Sequence, residues 1–250
     1  MSRRAFITGA GHGIGADIAR ACHAAGYQVG VFDLDPQRAA AIADSLEGCV
    51  ALAGDVSDEG SVLAALDQFE AATGGPPTLA VNNAGIVRFG PLLDQSVADF
   101  RALLDVNLLG AYVVARSAAL RMRSVGGGHI VSITSINGAV PGPGSGAYPA
   151  TKAAIRLLTR QLAIECGPAI RANCVAPGFI DAGMSSPIYA DPRVRELRGS
   201  AVPLQRLGSG KDIANAVLFL DSEGGAYING HELVVDGGVV HSLLNQLPRD

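Results

Sequence analysis

Seven short apolar runs recur along the chain, and stretches of helical length separate them. The runs are Ala5–Thr8, Gln28–Asp33, Val50–Ala53, Leu79–Asn82, His129–Thr134, Arg171–Ala176 and Glu232–Val235. Several are nearly continuous Val, Ile, Leu and Ala, the pattern of strands buried on both faces of a parallel sheet. Between them, Ile14–Ala25, Pro36–Leu46, Ser61–Ala72, Val97–Arg123, Ala147–Cys166 and Asp212–Leu220 have helical length and propensity. Strand–helix alternation of this regularity predicts an α/β chain: one doubly wound parallel sheet of about seven strands with helices on both faces. No internal repeat or linker-like shift in composition interrupts it, so residues 1–250 read as a single domain.

Composition narrows the class. Glycine supplies 32 of 250 residues while proline supplies 13, which fits tight turns and close backbone approaches rather than a proline-rich disordered chain. Charged residues make up only 17% and the net charge is −4, with no basic tail, so nucleic acid is not expected as a partner. No run of 18 apolar residues occurs, so no membrane span is expected. The cysteines Cys22, Cys49, Cys166 and Cys174 lack CxxC spacing and read as core residues, with no metal site predicted. Residues 1–4 lead straight into a strand without a signal-peptide h-region, so the cytoplasm is the expected compartment. A surface so poor in charge predicts burial against further copies of the same chain.

The first strand runs into Thr8-Gly9-Ala10-Gly11-His12-Gly13-Ile14-Gly15, which opens the first helix. Gly9 allows the sharp turn, Gly13 allows the backbone to approach a pyrophosphate, and Gly15 allows close helix packing. The free N–H groups of His12, Gly13 and Ile14 at the helix start would then meet the phosphates. In this strand–loop–helix setting the string indicates a Rossmann-type dinucleotide site. Asp33 ends the second strand, 18 residues beyond Gly15. Its carboxylate can accept from both adenosine ribose hydroxyls and would repel a 2′-phosphate, which favours NAD over NADP. His12, if protonated, would temper that preference.

From Thr8–Gly15 to Asp236-Gly237-Gly238, the chain resembles the short-chain dehydrogenase/reductase family in its short, single-domain form. The resemblance rests on the glycine loop, Asp55-Val56, Asn82-Asn83-Ala84-Gly85, Asn107, Ser135, Tyr148-Pro149-Ala150-Thr151-Lys152 and Pro177-Gly178, in the family's order. It implies a catalytic set of Asn107, Ser135, Tyr148 and Lys152. Ser135 precedes the tyrosine by 13 positions, and Lys152 is one of only two lysines in the chain. Residues i and i+4 share a helix face, so the ammonium of Lys152 can lie beside the phenol. A positive charge ~4–5 Å away is expected to stabilise the phenolate by roughly 3–4 kcal/mol, bringing Tyr148 toward neutral pH as a general acid–base.

By the same resemblance, Ser135 would bond the substrate oxygen, Lys152 the nicotinamide ribose, and Asn107 would help hold a proton-relaying water. Asp55 and Val56 would meet adenine, Asn83 and Gly85 would support the cofactor, and Pro177, Gly178 and Ile180 would flank the nicotinamide. Ala182 stands where many members have threonine, removing a hydroxyl that often bonds the carboxamide. Substrate walls are expected from Ile136, Asn137, Ala139, Val140, Gly142–Gly146, Phe179 and an irregular lid around 178–205 that includes Met184–Tyr189. That lining suits a small, largely apolar secondary alcohol or ketone. An NADPH-dependent 3-oxoacyl-thioester reductase, a sugar or polyol dehydrogenase and a non-catalytic dinucleotide sensor stay open as alternatives. The helices Val97–Arg123 and Ala147–Cys166, apolar on more than one face, predict a homotetramer, with a dimer as the lesser assembly.

Overall fold

The computed structural model describes residues 3–242. Seven strands form one sheet: β1 Arg4–Thr8, β2 Gln28–Asp33, β3 Val50–Ala53, β4 Leu79–Asn82, β5 Gly128–Ile133, β6 Ile170–Pro177 and β7 Glu232–Val235. All pairs are parallel and the order is β3-β2-β1-β4-β5-β6-β7. The helices are α1 Gly13–Ala24, α2 Pro36–Asp44, α3 Glu59–Thr73, α4 Val97–Leu103, α5 Gly110–Met122, α6 Tyr148–Cys166, α7 Pro192–Ala201 and α8 Gly210–Asp221. The doubly wound sheet read from the sequence is thus the fold.

Strand alternation divides the core between two layers. Ile7, Val29, Val31, Val131 and Val175 face α1, α2 and α8, packing on Ile18, Cys22, Ile42, Ile213 and Val217. On the other side, Phe6, Phe32 and Leu52 meet Leu66 and Phe69 of α3 and Val114 of α5. Phe6 stacks on Phe32 at 5.4 Å and meets Phe69 edge-on at 5.7 Å. Truncating such a buried ring costs about 3–5 kcal/mol. Ala80, Ile130 and Ala172 continue this layer against Ala118 and Met122 of α5 and Ala163 of α6.

Two expectations are corrected. The predicted helix over Val97–Arg123 is not uniform: Leu104–Leu109 forms a π-helical segment between α4 and α5. A π-bulge widens one turn and alters the local backbone bonding, which it commonly does beside functional sites. The helical stretch Val97–Val125 has the length and hydropathy of a membrane span, yet its apolar window is 56% buried within the fold. It carries Asp99, Arg101, Arg116 and Arg121, so it reads as a core helix. The stretch 178–203 is also less irregular than expected. A 3₁₀ segment, Gly183–Ala190, leads into α7, whose N-terminus is capped by Asp191 accepting from the Arg193 N–H.

Candidate active site

The strand order reverses between β1 and β4, and the loops leaving their carboxyl ends diverge there into a crevice. A cleft of about 660 Å³ occupies that position. Its lining includes Gly9, His12, Gly13, Ile14, Asp33, Asp55, Val56, Asn83, Gly85, Ser135, Tyr148, Lys152, Pro177, Gly178 and Ile180. The fold therefore gathers nearly every residue expected in the catalytic and cofactor sets, but few of the expected substrate walls. Gly15 and Asn107 lie behind the wall.

The glycine loop shows why it resists side chains. Gly13 has φ +55°, and a Cβ there would stand 2.5 Å from the Gly183 Cα, so the loop abuts the start of the 3₁₀ segment. A Cβ on Gly15 would stand 2.2 Å from the Gly9 carbonyl oxygen. No side chain caps α1, so the N–H groups at its start are left for an anionic ligand. Asn83 Nδ2 donates to the carbonyls of Thr8 and Gly9 at 3.0 and 3.1 Å, tying the loop after β4 to the loop after β1. Its side chain thus shapes the cradle from behind.

Asp33 is buried at the cleft wall. Gly11 N–H donates to one carboxylate oxygen at 2.8 Å and Asp35 N–H to the other at 3.1 Å, and His12 Nδ1 stands 4.0 Å away. Gly11 went unremarked in the sequence, although a Cβ there would strike the Asp33 carboxylate at 2.8 Å. Leu34, Asp35 and Arg38 also line this end. Asp35 caps α2 and pairs with the Arg38 guanidinium at 3.2 Å. The signal for Arg38 was available: it lies in the first turn of a helix that starts just after Asp33.

At the other end, Tyr148 begins α6 and Lys152 lies one turn later on the same face. Lys152 Nζ stands 5.6 Å from the Tyr148 ring centre and donates to the Ile133 carbonyl at 2.8 Å. Ser135 lies beside Tyr148, where its hydroxyl favours the phenolate. Ser132, the serine three residues earlier on β5, is buried and bonded to Asn82 and Thr159, so it does not compete for this place. The expected acidification by Lys152 does not appear. Burial pushes the Tyr148 phenol up to about 12, only partly opposed by Ser135, and pushes Lys152 down to about 8. Desolvation of the phenolate outweighs an ammonium that is itself held on a carbonyl.

Asn107 sits in the π-helical segment, fully buried. Its Oδ1 accepts from the Ile86 N–H at 2.7 Å, and its Nδ2 donates to the Ile86 carbonyl and to Thr151 Oγ1 at 2.9 and 3.1 Å. Both amide donors are spent on protein, so the side chain fastens the 86 region to α6 instead of holding a water through those donors. Of the expected substrate walls, Met184 and Ser185 line this cleft. Ile136 is buried, Asn137 Nδ2 donates to Ser145 Oγ at 3.4 Å, and Phe179 lies under the Arg198 guanidinium. Ile86, Val87 and Arg88, not anticipated, complete the wall. Ala182 lines the cleft as expected, with Ser185 three residues on. In the 178–205 segment, Arg195 pairs with Asp181, and Arg198 lies over the rings of Phe179 and Tyr189.

A doubly wound sheet with a glycine-rich loop at an uncapped helix start, a buried carboxylate at the end of β2 and a Ser–Tyr–Lys group at one cleft defines a dinucleotide-dependent oxidoreductase. Comparison with known proteins agrees. A family model described as enoyl-(acyl carrier protein) reductase matches residues 9–240. Nodulation protein G of Rhizobium meliloti is 34% identical over 239 residues, 95% of this chain and 96% of its own. A 3-alpha-(or 20-beta)-hydroxysteroid dehydrogenase of Mycobacterium bovis is 34% identical over 245 residues, 97% of this chain and 91% of its own. The crystal structure of a gluconate 5-dehydrogenase from Burkholderia cenocepacia, in complex with NADP and tartrate, superposes with a TM-score of 0.88 at 34% identity, covering 96% of each chain. The chain belongs to the short-chain dehydrogenase/reductase family, whose members bind a nicotinamide dinucleotide.

Proposed function

We propose that this oxidoreductase interconverts a secondary alcohol and a ketone, with NAD as its preferred dinucleotide. The observation that carries the reading is the convergence of Ser135, Tyr148 and Lys152 on one cleft, with Lys152 Nζ 5.6 Å from the Tyr148 ring centre. The glycine loop and the α1 N-terminus would hold the pyrophosphate, Asp33 the adenosine ribose, and the Pro177–Ile180 segment the nicotinamide end. Asp55 and Val56 would meet adenine. When bound, an oxidised nicotinamide supplies the hydride acceptor and a positive charge near the phenol.

Tyr148 then moves the proton: it takes the hydroxyl proton in oxidation and returns it in reduction. Ser135 fixes the substrate oxygen and opposes the charge that grows there. Lys152, pushed down to about 8, remains mostly protonated at neutral pH and would donate to the nicotinamide ribose. Replacing Tyr148 by Phe should reduce turnover by at least about a thousandfold while NADH still binds. Appreciable residual turnover would remove Tyr148 from this role.

NAD preference is supported by the placement of Asp33, both of whose oxygens are fixed by backbone N–H groups toward the ribose end. Ile86, Val87 and Met184 support a substrate with an apolar body. A second reading, a hydroxy acid or sugar acid, is favoured by Arg88, a cationic residue on the same cleft whose guanidinium pairs with Asp99 at 3.5 Å. Initial rates on a panel of apolar alcohols and aldonic acids, each with NAD⁺ and NADP⁺, separate the two. We further propose a cytoplasmic homotetramer in which the 178–205 segment acts as the substrate lid, with neither nucleic acid nor membrane as partner.

A further inference from the structure

The loop entering α6 is held from outside by a side chain that none of the dehydrogenase motifs includes. Gln95 lies just before α4, half-buried where most of its neighbours are exposed. Its Oε1 accepts from the Ala147 N–H at 2.8 Å, and its Nε2 donates to the Arg88 carbonyl at 3.2 Å. Ala147 immediately precedes Tyr148, while Arg88 is part of the cleft wall. A single amide therefore joins the start of the helix carrying the phenol to the strip of chain, residues 86–90, that bounds the substrate end.

Backbone geometry supports the same junction. Gly90 and Ser145 form a parallel bridge, and the Gly90 N–H donates to the Gly144 carbonyl at 2.8 Å. Gly146 has φ +55°, and a Cβ there would stand 2.7 to 3.0 Å from the Gln95 amide atoms. The amide thus packs against a position that both the backbone and the contact reserve for glycine. No side chain caps α6, whose N-cap is Ala147. The start of that helix has to be fixed by something else.

We propose that Gln95 is a positioning residue that keeps Tyr148 and the Arg88 strip in one register. Glutamine suits the task because Ala147 presents a donor and Arg88 an acceptor, and only a primary amide answers both. Glutamate can answer Ala147 alone, and leucine neither. The functional consequence rests on the proton-transfer role given to Tyr148 above; the clamp itself does not.

The test compares Gln95→Leu and Gln95→Glu, using the best alcohol from the panel, NADH binding by fluorescence, and hydrogen exchange at the Ala147 and Tyr148 amides. Gln95→Leu should speed exchange at both amides and lower kcat by about tenfold or more, because small misplacements of a reacting group are costly. NADH affinity should stay within about twofold. Gln95→Glu should keep Ala147 protected and kcat within about threefold while raising substrate KM, since its carboxylate meets the Arg88 carbonyl. Unchanged exchange at Ala147 in Gln95→Leu overturns the proposal. So does an unchanged kcat, or a fall in kcat matched by lost NADH binding. If Gln95→Leu does not fold, Gln95→Glu decides alone, and lowered kcat with unaltered KM overturns it. A wild-type chain inactive on every alcohol would sink the role of Tyr148, and exchange at the two amides would then decide the clamp by itself.

Discussion

The proposed NAD preference rests on Asp33, and an expected loss of dinucleotide affinity rests on Ala182. Asp33 is held by the N–H groups of Gly11 and Asp35, so its charge cannot swing away from the ribose end. Two like charges ~4 Å apart cost about 4 kcal/mol at an effective dielectric of about 20, an upper bound for a site open to water. Asp33→Ala should therefore narrow the ratio of kcat/KM for NAD⁺ over NADP⁺ by at least about tenfold. Steady-state rates with both dinucleotides check it, and an unchanged ratio would move the selectivity to Arg38 or His12. Ala182 makes the opposite kind of prediction, a gain. Restoring a hydroxyl with Ala182→Thr should tighten dinucleotide binding by about fivefold, the worth of one net hydrogen bond near 1 kcal/mol. Titration of NADH fluorescence measures that gain. No tightening would mean that another donor, such as the nearby Ser185 hydroxyl, already serves the carboxamide.

Elements were legible in the sequence wherever a periodic apolar pattern was tied to burial, and blurred where it was not. All seven strands lie within about one residue of the predicted ends at either side, because parallel strands buried on both faces leave continuous apolar runs. The π-helical turn at Leu104–Leu109 has no such mark, since α and π turns draw on the same residues. Helix α7 was missed because its Arg-rich sequence lacks an apolar stripe, although Asp191-Pro192 offered a cap and a first-turn proline. Ionisable groups between elements also escaped notice. His129 at the start of β5 is buried, with Nδ1 3.0 Å from the Asp221 carboxylate at the end of α8 and Nε2 accepting from Asn173 of β6 at 3.0 Å. Burial holds its pKa below the ordinary ~6.5, aided by the Arg171 charge and opposed by Asp221. Below about pH 6.5 the unfolded chain takes up a proton that the folded one resists, so stability falls as pH falls. Tm should drop between pH 7 and pH 5, and His129→Gln should flatten that slope. A wild-type Tm constant over the window would contradict it.

At the scale of the whole molecule, the low charge content takes on a location. The outer face of α6 exposes Leu157 and Ile164, seven residues apart on one stripe, at 68% and 77%. Tyr112 and Leu120 on α5 are also exposed. A separate group, Phe219, Tyr227 and Val234, is exposed around α8 and the edge strand β7. Two distinct apolar faces on one chain can each pair with its own kind about a two-fold axis, and two such axes close at four copies. The proposed tetramer therefore predicts a stepwise collapse. Leu157→Glu with Ile164→Glu places charges across the α6 face, which should leave dimers joined through the β7 face, while the single change Tyr227→Glu should weaken the other contact. Light scattering behind size exclusion reads the mass directly. Because the cleft at the β1/β4 switch point lies within one chain, NADH binding should survive in the dimers that the double variant leaves. A wild-type mass of one chain, or a double variant that keeps four, would show that these faces meet something other than a second copy.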